Sequence, residues 1–103
     1  MIYIKRKKRF MTRNWNDPVY KNWRKQVYAR DKFSCQWPNC GSKKRLNAHH
    51  IQKWADNPGL RFNLNNGITL CRKCHDNIKN KEVEYEQLFF KILIAKSLKD
   101  GKE

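Results

Sequence analysis

Apolar residues fall into four separated groups along this chain, and the spacing within each group points to a different element. Val19, Trp23 and Val27, with Tyr20 and Tyr28 beside them, recur at roughly helical intervals. The pattern predicts one amphipathic helix over 18–30, with Asp17 as its N-cap and Pro18 at the first helical position. The aromatic stripe is read as core and not as a platform for stacking bases. The opposite face offers Lys21, Arg24, Lys25 and Arg30. Leu46, Ala48 and Ile51 suit a strand over 45–51. Ile68 and Leu70 suit a second strand, opened by the turn pair Asn66-Gly67. The intervening 52–65 segment carries Asn57, Pro58 and Gly59 and reads as a loop. The two runs then form an antiparallel pair, followed by a helix over 72–80. A last helix over 83–99 is apolar around a wide arc: Val83, Leu88, Phe89, Phe90, Ile92, Leu93, Ile94 and Leu98. One stripe is enough to cover a small core. The surplus faces either the first helix or a second copy of the chain, so monomer and homodimer both stay open. No repeat or linker divides the sequence. The fold class is α+β, one domain over 15–99 between a basic tail (1–14) and a short C-terminal tail (100–103).

Charge narrows the partners. The chain has 103 residues, 24 Lys and Arg against nine Asp and Glu, and a formal charge of +15. Such an excess favours polyanions through counterion release and steering, and says nothing about fold. Residues 1–13 hold six of the basic side chains and no acidic one. Lys5, Arg6, Lys7, Lys8, Arg9 and Arg13 are therefore candidates for phosphate contact, joined by Arg24 and Lys25. The opening MIYIKRKKRF lacks the apolar stretch of a secretory signal. No apolar run approaches the ~18 residues that span a bilayer. A cytoplasmic, reducing setting is expected, and no membrane partner.

In a reducing compartment, paired cysteines serve as metal ligands more readily than as disulfides. Cys35 and Cys40 have four residues between them, on a turn with Pro38, Asn39 and Gly41; Cys71 and Cys74 have two. Two such knuckles about thirty residues apart suit one tetrahedral structural zinc, with Phe33 and Trp37 available to cover it. All three histidines lie between 45 and 75: the adjacent pair His49 and His50, and His75 directly after Cys74. Neighbouring side chains on a strand point to opposite faces, so His49 and His50 suit different jobs.

The order His50, Asn66, His75, carried by AHHI, NGITLC and CRKCH and bracketed by the cysteine pairs, resembles the HNH endonuclease family. The likeness runs from about Trp15 to Tyr85 and is nearest to small free-standing bacteriophage members. It implies a ββα-metal core and a divalent-metal-dependent DNA endonuclease that leaves 5′-phosphate and 3′-hydroxyl ends. It further implies that His50 is the general base and that Asn66 fixes the base's orientation. His49 and His75 would hold the catalytic ion, Mg²⁺ or Mn²⁺, with Ni²⁺, Co²⁺ or Zn²⁺ also accepted by imidazole. One departure stands out. Many relatives carry a further histidine one helical turn after the last one, where this chain has Lys79. The ion would then rest on His49 and His75 alone, and Lys79 is counted among the DNA-binding candidates. The setting implied is a phage-infected or prophage-carrying bacterium, with terminase or other packaging proteins as partners. The rival reading is a non-catalytic, zinc-bound DNA-binding or packaging adaptor on the same scaffold.

Overall fold

The computed structural model describes residues 14–99. The basic positions Lys5, Arg6, Lys7, Lys8, Arg9 and Arg13 lie outside them. Helix α1 (Pro18–Arg30) begins where the N-cap chemistry places it, with the Asp17 side chain accepting from the Val19 amide at 2.9 Å. Strand β1 (Leu46–His50) and strand β2 (Gly67–Cys71) form a two-stranded antiparallel sheet. Its register pairs Leu46 with Cys71, Ala48 with Thr69, His49 with Ile68 and His50 with Gly67. Helix α2 (Arg72–Asn77) follows β2 directly, and helix α3 (Glu86–Lys99) comes last, entered through a 3-10 turn over Glu82–Tyr85.

An isolated two-stranded sheet is marginal in water, and here each face is covered separately. On one face Ile51, Ile68 and Leu70 join Ile78, Phe89 and the buried cysteines in one cluster, flanked by Trp37, Tyr85, Ile92 and Leu93. On the other, Tyr20, Trp23 and Val27 of α1 pack with Ala48 and Leu64. Helix α3 thus buries Phe89 of its apolar arc on the cysteine side of the sheet and not against α1. Val83, Ile94 and Leu98 stay exposed.

A polar knot fastens α1 to β2. The buried Asp31 carboxylate accepts from the Thr69 amide at 2.9 Å and from both ends of the Arg30 guanidinium at 2.8 Å. Arg30 also donates to the carbonyls of Leu64 (2.9 Å) and Gly67 (2.7 Å). The expectation that Arg30 belongs to an open basic face is therefore corrected: four hydrogen bonds turn it inward.

Two further expectations change. Helix α2 stops at Asn77 instead of running to residue 80. The chain leaves it through a turn in which Lys79 donates to the Asp76 carbonyl and Asn80 adopts a left-handed φ of 69°, a conformation asparagine tolerates better than most residues. Lys79 consequently lies past the end of α2. At the first knuckle Trp37 packs on the cysteine-side core as expected, but Phe33 is exposed and lies against Tyr28, ring centres 6.0 Å apart.

Candidate active site and metal centres

The first knuckle closes through the Cys40 amide to the Trp37 carbonyl (2.9 Å) and the Cys35 amide to the Ser42 carbonyl (2.8 Å). A left-handed Gly41 at φ 69° lets the chain reverse there. The second knuckle is the junction of β2 and α2. Together they bring the sulfurs of Cys35, Cys40, Cys71 and Cys74 within 4.8 Å of one another, all as free thiols. Cys40 Sγ and Cys71 Sγ are 3.9 Å apart. A tetrahedral ion bonded to sulfur at ~2.3 Å requires sulfur separations of about 3.8 Å, whereas a disulfide needs ~2.05 Å. The four residues therefore form a site able to hold one metal ion. Burial raises the Cys35 thiol, and burial together with the neighbouring thiols pushes Cys74 up. The Cys74 backbone amide is the main reason that Cys71 is lowered to about 7.

The histidines occupy a different place. His75 stands clear of the sulfur cluster and meets His49 across the β1–α2 interface, ring centres 5.4 Å apart at 72°. An ion ~2.1 Å from one nitrogen of each ring would set the ring centres about 4.5–5.5 Å apart, so the pair fits a shared divalent ion. Burial is the main cause of a lowered His75 pKa, with Lys79 and Arg72 adding to it and Asp76 and Glu82 opposing. The ring is consequently neutral at pH 7, as a ligand must be.

His50 projects to the opposite face, as strand alternation requires. Its ring stacks on Trp23 at 4.1 Å between centroids and 12° between planes. Its Nε2 lies 2.9 Å from the Arg61 carbonyl oxygen. A carbonyl only accepts, so Nε2 carries the proton and the lone pair of the neutral ring is on Nδ1. The Trp23 indole is itself anchored, donating to the Asn63 carbonyl at 2.9 Å.

Asn66 is buried and closes the neck of the 52–65 loop. Its Oδ1 accepts from the Gln52 amide (2.8 Å), and its Nδ2 donates to the carbonyls of Gln52 (3.1 Å) and Leu60 (3.3 Å). It holds Leu60, and the next residue, Arg61, supplies the carbonyl that orients the His50 ring.

His49, His50 and His75 open onto one cleft of about 460 Å³, whose other lining residues are Lys53, Trp54, Ala55 and Glu82. Lys79 is not among them. Arg24 and Lys25 are exposed on α1, with the Arg24 guanidinium 5.9 Å from the centre of the Tyr20 ring. A second cleft of about 480 Å³ beside the sulfur cluster gathers Lys44, Arg45, Arg72 and Lys73 against one acid, Asp76.

Several contributors were missed from sequence. Trp23 reads as core because its helical spacing matches Val19 and Val27, and nothing in that spacing reveals a stack on His50. Arg61 acts through its backbone, which has no sequence signature. Glu82 lies outside the His–Asn–His stretch. Its carboxyl would be raised by burial, but the backbone amides of Glu82 and Asn80, with Lys53 and His49 nearby, hold it below the ordinary glutamate value.

Among the described residues, no helix is long and apolar enough to cross a membrane. Comparison with known proteins returned no match among curated proteins or solved structures. Residues 35–81 match the family model described as HNH endonuclease. That stretch encloses both cysteine knuckles, the β1–loop–β2–α2 unit, the closing asparagine and all three histidines. It ends on the turn that leads into Glu82. Over residues 35–81, then, the chain is similar to the HNH endonuclease family.

Proposed function

We propose that this protein is a divalent-metal-dependent DNA endonuclease that nicks or cuts duplex DNA with little inherent sequence preference. The observation that carries the reading is the state of His50: Nε2 committed to the Arg61 carbonyl, the ring braced on Trp23, and the whole facing a cleft shared with His49 and His75. In that tautomer Nδ1 is the atom that takes a proton from the attacking water, and no rotation or tautomer exchange is needed first. Asn66 is a positioning residue, acting through Leu60 and Arg61. His49 and His75 hold the divalent ion, Mg²⁺ or Mn²⁺, through neutral imidazole. When bound, that ion supplies charge to the phosphate oxygens and to the leaving alkoxide. Cys35, Cys40, Cys71 and Cys74 hold structural zinc.

Phosphate contacts from Arg24, Lys25, Lys79 and the basic stretch from Lys5 to Arg13 supply affinity without base readout. The absence of sequence preference follows, since a charge of +15 acts on any duplex. A phage or prophage setting in the bacterial cytoplasm, with terminase or other packaging proteins as partners, is the context this reading fits.

Supercoiled plasmid incubated with the protein and Mg²⁺ or Mn²⁺, beside a chelator control, tests the reading. Replacing His50→Ala removes the base and no metal ligand, so rate falls ~10²–10⁴-fold while zinc content and duplex affinity persist. His49→Ala loses activity through the ion, and excess metal partly restores it. Normal cutting by both variants would sink the nuclease reading and favour the DNA-binding adaptor.

A further inference from the structure

The early end of α2 has a chemical consequence. Had the helix continued, residue 79 would lie one turn above His75 and face the cleft. Instead the chain turns at Asn80, closed by the Lys81 amide on the Ile78 carbonyl at 2.8 Å, and comes back to the cleft with Glu82. We infer that Glu82 is a third protein ligand of the divalent ion held by His49 and His75, which makes the centre a mixed nitrogen–oxygen site. The inference rests on the nuclease reading above.

Three observations support it. Among the described residues, Glu82 is the only acidic one lining the cleft, in a chain with nine acids against 24 bases. Burial at this turn runs against polarity: Glu82 is partly buried, while the adjacent Val83 is 64 % exposed and Glu84 is exposed. Apolar burial alone would turn valine inward and glutamate outward. Finally, two imidazoles and one carboxylate leave open positions on a divalent ion for water and a phosphate oxygen. Carboxylate oxygen also favours hard ions, where imidazole alone favours nickel or copper. A neutral role, balancing Lys53 across the cleft, predicts no effect on metal binding.

Calorimetric titration of Mn²⁺ and of Ni²⁺ into the zinc-loaded protein separates these accounts. Wild type should bind one Mn²⁺ beyond the zinc, and His49→Ala should weaken that binding strongly. Even outer-sphere partners typically contribute 10–100-fold to metal affinity, so Glu82→Gln should weaken Mn²⁺ at least ~10-fold, and Ni²⁺ less. Glu84→Gln should change neither. Glu82→His, which restores a third ligand of softer character, should reverse the preference and favour Ni²⁺. Melting temperature and zinc content of each variant show whether it is folded. Unchanged Mn²⁺ affinity in Glu82→Gln overturns the inference and leaves the nuclease reading standing. Equal losses for Mn²⁺ and Ni²⁺, with a lowered melting temperature and no rescue by Glu82→His, also overturn it, as a structural role. If wild type binds no second divalent ion, the nuclease reading fails as well.

Discussion

Gly67 offers the sharpest test of how the proposed general base is held. It faces His50 across the sheet, and its backbone lies against the Trp23 indole on which His50 stacks. A methyl group placed there would meet Trp23 Cζ2 and Val27 Cγ2, each at 2.6 Å. Ordinary carbon contacts need ~3.5 Å or more, so both side chains would have to retreat by roughly 1 Å. Neither retreats freely: Trp23 is 1 % exposed with its Nε1 bonded to Asn63, and Val27 is fully buried. Overpacking of this kind costs ~1–3 kcal/mol, and a loss near 2 kcal/mol lowers Tm by about 8–16 °C in a domain of this size. Because His50 rests on the displaced ring, nicking should fall further than folding does; a 1 Å misplacement of a reacting group can cost ~10²-fold. The assay pairs thermal melting by circular dichroism with plasmid nicking well below the lowered Tm. Gly67→Ala combined with Val27→Ala removes one of the two clashes. The pair should show a favourable coupling of ~0.5–3 kcal/mol in stability, while activity stays low because the Trp23 contact persists. A Gly67→Ala protein melting within about 2 °C of the parent and nicking at the parental rate would refute the argument.

Protein purified under reducing conditions should contain about one equivalent of zinc, and stripping it should unfold the chain. Structural zinc contributes ~10–16 kcal/mol against a typical stability of 5–15; a chelated protein that keeps its melting transition would count against the four-cysteine centre. Log affinity for unrelated duplexes should fall linearly with log salt, and Arg24→Gln and Lys25→Gln should each reduce the slope by ~0.9; slopes equal to the parent's would remove these two residues from the phosphate contacts. Since burial lowers the His75 pKa, the unfolded chain takes up that proton first as pH falls. The stability this ring contributes is thus present above pH ~6.5 and declines below it. An NMR titration of the zinc-loaded, divalent-free protein should give His75 a midpoint below ~6.5, and a higher midpoint would contradict the burial argument.

Elements written in local chemistry were legible from the sequence, and contacts made by backbone or across the fold were not. Asp17-Pro18 and the Val19–Trp23–Val27 spacing mark α1 because an N-cap and a helical stripe are both local signals. The cysteine cluster was legible for the same reason, each knuckle being a short-range spacing whose pairing follows from the metal's need for four donors. The divergence of His49 and His50 follows from strand alternation alone. By contrast, α2 was read too long because helical propensity does not register a left-handed Asn80. Arg30 looked like its basic neighbours until Asp31, buried beside it, turned it toward β2. Asn66 was expected to orient the base by hydrogen bonds across the loop. It does span the loop, but the last step to His50 runs through the Arg61 carbonyl, which any residue type would provide.

The two metal centres proposed here are mechanically one unit. Cys74 and His75 are consecutive on a six-residue helix, too short to hold its own shape in water. Its position comes from the sulfur cluster on one side and from Ile78 and Phe89 packed on the sheet on the other. His49, the partner of His75, is on β1, whose first residue pairs with Cys71. The separation of the two imidazoles would therefore be set by an ion tying Cys71 and Cys74 to the first knuckle. His50 belongs to the opposite face, where Trp23 and the Asp31–Arg30 knot fix it without any metal. The sheet thus places His50, the proposed proton acceptor, in the core built by α1, and His49 and His75, the proposed ion ligands, beside the core built by the cysteines. A lesion in either core should disable one function before the other, although the two histidines are neighbours in sequence.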